Sequence, residues 1–214
     1  MNRSETDATL EKTLRIRFDN RKVYANGIND SQFQVTMWLG NRKIQHRAYS
    51  TWKGILQRCY SEKSHVLHPT YKGCEICEEW IYFSNFFKWW KENFVEGYEI
   101  DKDILVPGNK VYSPETCIYI PRFINVFVTD CEKRGNKFPI GVTYWEPRKK
   151  FRARTWEKNK LITIGLYKTI EEAHDAWFKK KIEIAWSFKD ACDSIDEKLF
   201  KHLLMKINSM KSEV

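Results

Sequence analysis

The sequence predicts an α+β fold built as two modules in series. Three observations carry this expectation. Apolar residues recur at helical spacing in residues 49–60 and again in residues 78–94. A strand–turn–strand–helix run occupies residues 99–131. Three alternating stretches then precede an alanine-containing amphipathic helix, the pattern of a three-stranded antiparallel sheet plus a helix. The expected boundaries are 1–48 for an N-terminal extension of short strands, 49–134 for a helical and ββα module, 135–190 for the sheet-plus-helix module and 191–214 for a C-terminal helix.

Taken in order, residues 1–12 are polar and predict a frayed start. Leu14, Ile16 and Phe18, then Val23 and Tyr24, then Phe33, Val35 and Met37 alternate as two or three short strands, broken at Gly27 and Asn29-Asp30. A helix is expected from a Ser50-Thr51 start, with Trp52, Ile55, Leu56 and Cys59 on one face. A polar loop holding His65, His68, Pro69 and Gly73 leads to the helix of residues 78–94. Its Trp80, Phe83, Phe86, Phe87 and Trp90 form a stripe that reads as core packing. Residues 99–105 and 111–120 read as strands around the Pro107-Gly108-Asn109-Lys110 turn, and residues 122–131 as a helix. The polar run 132–137 reads as a hinge. Strands are expected at 140–145, 151–156 and 161–167, followed by a helix at 169–188 with Ile170, Ala173, Ala176 and Trp177 on one face. A last helix, 195–210, turns Ile195, Leu199, Leu203 and Ile207 inward.

Composition narrows the function. Of 214 residues, 42% are hydrophobic and 15% aromatic, enough to bury a core. No apolar run approaches ~18 residues, so no membrane-spanning helix is expected. The first residues lack the apolar segment of a secretory signal, which predicts a chain that stays in the cytosol. There the six cysteines are expected as thiols or metal ligands rather than disulfides. Lys plus Arg number 37 against 28 acids, a net charge of +9 that favours a polyanionic partner. No Ser/His/Asp arrangement, phosphate-cradling glycine loop or dinucleotide fingerprint occurs, so no small-molecule cofactor is expected.

The charge is concentrated in residues 137–168, where nine Lys or Arg (137, 148, 149, 150, 152, 154, 158, 160 and 168) face two acids, Glu146 and Glu157. Strand alternation puts Phe151, Ala153 and Thr155 on one face and Arg152, Arg154 and Trp156 on the other. Small Ala153 lets a helix pack closely beneath, leaving the arginines outward. Such a ribbon fits a DNA major groove, or else is simply a solvated basic face. Gly141-Val142, Phe151-Arg152-Ala153, Ile164-Gly165-Leu166-Tyr167 and Thr169-Ile170-Glu171-Glu172-Ala173-His174-Asp175-Ala176-Trp177 resemble the Apetala-type DNA-binding domain of plant ethylene-response factors. The resemblance implies double-stranded DNA as partner and, by position, Thr143, Trp145, Arg154, Trp156 and Thr163 as contacting residues; Arg148, Lys150 and Arg152 are expected beside them from the charge of the same stretch. Thr143 and Trp145 do not match the family's first-strand arginines, so base preference does not transfer.

The central unit has the layout of a ββα-metal nuclease. That chemistry needs a divalent cation on the scissile phosphate, oxygen ligands to hold it and a base for water. Asp101 and Asp103 are expected on one strand and one face, with Asn125 approaching from the helix; the alternative is a structural pair that caps loops or pairs with Lys102 and Lys110. Asn109 follows the turn. Ile100-Asp101-Lys102-Asp103 and Gly108-Asn109-Lys110-Val111-Tyr112-Ser113-Pro114-Glu115-Thr116-Cys117 resemble HNH homing-type endonucleases. With Gly27-Ile28-Asn29-Asp30, Arg58-Cys59-Tyr60-Ser61-Glu62-Lys63, His68-Pro69-Thr70-Tyr71-Lys72-Gly73-Cys74 and Cys77-Glu78-Glu79-Trp80, the chain resembles a bacteriophage family described as HNH-like endonucleases with an Apetala-type module. The resemblance implies phosphodiester hydrolysis in the cytoplasm of an infected bacterium, with Mg²⁺ or another divalent cation on Asp101, Asp103 and Asn125.

Lys102 stands where that family carries its general-base histidine. An ordinary lysine is protonated at pH 7 and takes no proton from water. Three alternatives follow: Lys102 is desolvated, His65 or His68 supplies the base, or the site does not cut. In the last case the chain is a DNA-binding protein on a degenerate nuclease scaffold, acting as a regulator or as an inhibitor of a host enzyme. Cys74-x-x-Cys77 has the spacing of a zinc knuckle, with Cys59 and Cys117, or His65 and His68, as further candidate ligands; buried thiols are the alternative.

Overall fold

The structure, a computed structural model, describes residues 2–16, 21–129, 137–157 and 160–211. Packing divides the chain into two units, Met1–Glu96 with Gly108–Ile118, and Gly97–Pro107 with Tyr119–Val214. The stretch expected as one ββα module is therefore shared: Asp101, Lys102, Asp103 and Asn125 belong to the second unit, Asn109 and Cys117 to the first. Of the expected hinge at 132–137, all but Lys137 lies outside the described residues, as do Phe18, Cys131 and Lys158.

The first unit opens with a helix where a frayed start is expected. Helix α1 (Arg3–Lys12) begins with a capping box: Asn2 Oδ1 accepts from the Glu5 amide at 2.8 Å and the Glu5 carboxylate accepts from the Asn2 amide at 2.8 Å. Leu10 is buried, and buried Asp7 accepts from the Arg47 side chain at 2.5 Å. Hairpin strands β1 (Thr36–Leu39) and β2 (Arg42–Gln45) follow. Of the expected strands, the third runs into β1, which holds Met37, while the other described residues form isolated bridges, Leu14 with Phe33 and Val23 with Gly27. Helix α2 (Arg47–Tyr60) starts three residues before Ser50, because His46 caps it: Nδ1 accepts from the Ala48 amide at 3.2 Å.

Helix α3 (Glu62–Leu67), strand β3 (Glu75–Ile76) and helix α4 (Phe83–Asn93) complete this part of the unit. The expected helix at 78–94 begins only at Phe83, with Trp80 in a short 3₁₀ turn (Glu79–Ile81) ahead of it, but the stripe is core as its spacing predicts: Trp80, Phe83, Phe86 and Trp90 are buried and Phe87 half-buried. Trp52 Nε1 donates to the Trp80 carbonyl at 2.7 Å, so the indole is buried with its polar atom satisfied. Asp30, distant in sequence, caps α4, accepting from the Ser84 amide at 2.8 Å and the Ser84 hydroxyl at 2.6 Å.

In the second unit, strand β4 (Tyr98–Asp101) pairs with a later strand. The expected strand at 111–120 is in fact two: β5 (Val111–Tyr112), parallel to β3 in the first unit, and β6 (Ile118–Pro121), the partner of β4. The break is a turn at Pro114, closed by the Thr116 hydroxyl, which donates to the Val111 carbonyl at 2.8 Å. Helix α5 (Arg122–Thr129) follows β6 directly, so β4, β6 and α5 realise the strand–loop–strand–helix order.

Strands β7 (Val142–Trp145), β8 (Lys150–Glu157) and β9 (Lys160–Tyr167) form an antiparallel sheet in that order, as the alternation predicts. Helix α6 (Ile170–Trp186) begins with a second capping box, Thr169 with Glu172. It packs Ala173 and Trp177 against Val142 and Ala153. Lys181, buried on α6, donates to the Phe127 carbonyl of α5 at 2.8 Å and lies 3.6 Å from the Phe127 ring centre. A short helix α7 (Lys189–Asp193) comes next, and the helix expected at 195–210 is present as the shorter α8 (Leu199–Asn208), with Ile195 in the turn between the two. Leu199, Leu203 and Ile207 are buried as expected.

Gly141, at φ 82°, opens β7, and a Cβ there would overlap the Trp177 indole. Gly141→Ala is expected to cost about 2–4 kcal/mol in urea unfolding, from backbone strain plus overpacking. Gly40, at φ 59° with open space around it, should lose only about 1–2 kcal/mol from the same substitution. Equal losses at the two sites would show that Trp177 does not press on Gly141.

Candidate nucleic-acid interface

Two places in the second unit gather the residues singled out by the sequence: the outer face of the β7–β8–β9 sheet and the turn after β4. The sheet face is built by register. Thr143 lies opposite Arg152 and Trp145 opposite Lys150. On the other side of β8, Arg152 lies opposite Leu166 and Arg154 opposite Thr163. Between those two pairs the register slips by one residue, and Ile164 has no partner of its own. This bulge has a consequence for both faces. Simple alternation from Tyr167, which packs on the core, would send Ile164 outward and Thr163 and Leu161 inward. The extra residue instead lets Gly165 oppose Ala153 on the helix side while Ile164 also packs on the core, and it returns Thr163 and Leu161 to the outer face.

The result is a face carrying Thr143, Trp145, Lys150, Arg152, Arg154, Trp156, Leu161, Thr163 and Leu166. Trp156 is 50% exposed and Leu161 45%. The opposite side of β8 carries buried Ala153 and Thr155 and half-buried Phe151. The Arg152 and Arg148 guanidinium carbons lie 5.3 Å and 5.7 Å from the Trp145 ring centre, so the indole braces both cations. Among the described residues Arg152 Nε is buried with no hydrogen-bond partner. Burial and the neighbouring Arg152 charge hold Arg154 below the ordinary arginine range. Of the two acids in this stretch, Glu157 is 3.2 Å from Lys180 of α6 and is spent there; Glu146 lies exposed in the turn after β7. The outer face thus concentrates like charges, an arrangement that an anion relieves.

The turn after β4 departs from the shared strand expected of a metal site and agrees with the alternative of a loop-capping, lysine-paired couple. Asp101 and Asp103 do not share a strand: β4 ends at Asp101, and Asp103 lies in the turn. Asp101 Oδ1 accepts from the Asp103 amide at 2.9 Å and the Ile104 amide at 2.7 Å, closing that turn. Asp103 is 3.1 Å from Lys102 Nζ and 3.0 Å from Lys206 Nζ of α8. Lys102 is 7% exposed. Asn125 donates from Nδ2 to Glu99 on β4 at 2.7 Å. Asn109, in the first unit, turns onto its own backbone, accepting from the Val111 amide at 3.0 Å and donating to the Val111 carbonyl at 2.6 Å.

The two carboxylates differ electrostatically. Burial pushes Asp101 above the usual carboxylate range, and the Asp103 charge adds to this against the two amide bonds. Burial also opposes ionisation of Asp103, but Lys206 and Lys102 together outweigh it and hold Asp103 below its usual range. A divalent cation does not fit this donor set as it stands, since lysine ammonium groups already sit on Asp103 and backbone amides on Asp101. Among the described residues no three His, Cys, Asp or Glu side chains gather as a metal-ligating group. Cys59, Cys74 and Cys117 are buried thiols, and burial raises the half-buried Cys77 thiol above its ordinary range.

Sequence reasoning missed Lys206. Its sequence position shows only a lysine beside the Leu199–Leu203–Ile207 stripe, whereas on α8 it is half-buried and its partner is 103 residues away. No protein-family model, curated protein or solved structure matches the chain, so its partner is inferred from geometry and charge. No helix among the described residues is long and apolar enough to cross a membrane.

Asp101→Asn keeps the Oδ1 acceptor and removes a disfavoured charge, so stability at pH 7 should hold or rise. Asp101→Ala should lose about 1–3 kcal/mol by stranding two amides. Asp103 behaves oppositely: its depressed value gives stability that is present above its unfolded value, near about 3.9, and lost as pH falls through its folded value. Lys206→Met should flatten that acid limb in urea unfolding between about pH 2.5 and pH 7. An unchanged limb would remove Lys206 as the partner of Asp103.

Proposed function

We propose that this protein binds double-stranded DNA through the outer face of the β7–β8–β9 sheet, with the β4–β6–α5 unit serving as scaffold. The observation that carries this reading is the single face bearing Lys150, Arg152, Arg154, Trp145 and Trp156, with Glu157 withdrawn to Lys180. Size agrees: three strands at about 4.8 Å spacing span about 10 Å, inside the ~12 Å width of the major groove. Arginine forks suit guanine edges and phosphates, and exposed apolar groups suit thymine methyls. The resemblance to Apetala-type domains supports the same face. The resemblance to the phage family favours the cytoplasm of an infected bacterium and, without a cutting site, a role in regulating or inhibiting a host nucleic-acid enzyme.

A second reading is supported by one feature. Asp101 and Asp103 are near enough that the Asp103 charge raises the Asp101 value, as in a site built for a cation. A metal-dependent endonuclease using Asp101 and Asp103, with Asn125 beside them, would require Lys206 to leave Asp103. The scaffold reading needs no such change and is preferred.

Fluorescence anisotropy with duplex DNA tests the binding. Arg154→Ala and Trp156→Ala should each weaken a preferred site by about 1–3 kcal/mol. Lys150→Ala should weaken all duplexes alike and lower the salt slope by about one. Wild-type affinity in all three variants would exclude this face. Mapping of DNA ends after incubation with Mg²⁺ or Mn²⁺ separates the two readings: intact DNA is expected, whereas cleavage that Asp101→Ala abolishes would establish the endonuclease.

A further inference from the structure

Arg58, in the last turn of α2, is met by the aromatic side chains of Tyr71 and Tyr112. Its guanidinium lies 5.5 Å from the Tyr71 ring centre and hydrogen-bonds the Tyr112 hydroxyl. The side chain is half-buried. Its main electrostatic neighbours are Tyr112, Tyr71 and Cys59, and among the described residues no carboxylate forms an ion pair with it. The nearby acids, Glu62 and Glu75, are exposed on α3 and β3. Burial opposes the Arg58 charge, but Tyr112, Tyr71 and Cys59 outweigh it and hold Arg58 above the ordinary arginine range, so the guanidinium stays a full cation. An oxyanion meeting the remaining N–H groups would complete the set, because the planar fork matches phosphate oxygens.

The surroundings hold the arginine and add charge of the same sign. His65 Nε2 bonds the Arg58 carbonyl at 2.8 Å, fixing α3 to the end of α2. The His68 ring meets Tyr71 edge-on at 6.1 Å. Lys110 Nζ donates to the Thr70 carbonyl at 2.7 Å, bringing a second permanent cation to the loop that carries Tyr71. Lys72 is exposed on the same loop.

We propose that Arg58, braced by Tyr71 and Tyr112 and flanked by Lys110, Lys72 and His68, anchors a phosphate-binding site in the first unit. The ligand class is a phosphate group, either on a nucleic-acid backbone or free in solution. The site is independent of the sheet face, so either can fail alone.

The test uses the full chain and phenylglyoxal, which modifies accessible guanidinium groups, with modified arginines mapped by mass spectrometry. Inorganic phosphate and duplex DNA are each added at matched ionic strength, with chloride as control. Protection of Arg58 by phosphate is expected for a site that takes the free ion. Protection by duplex alone assigns the site to a phosphodiester. Protection by neither overturns the proposal. Arg58→Gln should then weaken the protecting ligand by about tenfold, and Arg58→Lys should recover part of the loss, since it keeps charge without the fork. Unchanged affinity in a folded Arg58→Gln protein also overturns it. Where Arg58→Gln does not fold, the labelling of the wild-type chain decides.

Discussion

The outer face of the sheet depends on the one-residue slip between β8 and β9. Strand side chains alternate strictly, so an extra residue on one strand reverses the facing of everything beyond it. Here the reversal falls between Gly165 and Thr163. It gives the helix side two consecutive β9 residues, Gly165 and Ile164, and gives the outer side Thr163 and Leu161 beside Arg154 and Trp156. Without it, a half of β9 would present its aliphatic residues to water and bury a threonine against α6.

The inner side shows why the bulge is tolerated. Ala153, Ala173 and Gly141 are small where α6 crosses, and Trp177 fills the space between them. His174 stacks on Trp177 at 5.3 Å between ring centres and bonds the Ile140 carbonyl at 3.1 Å, tying α6 to the start of β7. A rigid floor then lets the outer side hold an unfavourable arrangement of charge. Arg152 is braced by Trp145 rather than by a carboxylate, and Arg154 is near enough to Arg152 to feel its repulsion. Groups held in such a state are preorganised for an anion, which they meet without first breaking ion pairs.

Much of this was legible in the sequence because it is local. The three strands, the α6 stripe and the division of β8 into Ala153 and Arg154 faces follow from alternation and helical spacing, which need only neighbouring residues. The α4 stripe was legible for the same reason. Other features depend on partners far along the chain. Residues 111–120 read as one strand because Val111, Tyr112, Ile118 and Ile120 are all strand formers; the turn at Pro114 and the separate partners of β5 and β6 are set by tertiary contacts. The start of α2 was misplaced because histidine is an uncommon cap, and α1 because polar residues with a capping box look like a loose terminus. Asp101 and Asp103 read as a pair on one strand, but the Asx turn at Asp101 ends the strand. Their chemistry is then decided by Lys206, which no local pattern connects to them.

The central claim is that duplex DNA meets the sheet on the side away from α6. Its most direct measurement is nuclear magnetic resonance of the full chain titrated with duplex DNA, following backbone amides and tryptophan indole N–H groups. The account predicts shifts at Thr143, Arg152, Arg154 and Thr163 and at the Trp145 and Trp156 indoles, while the buried Trp177 indole stays in place. Shifts confined to α6 and Trp177, or absent from the β7–β8–β9 face at saturating DNA, would contradict it.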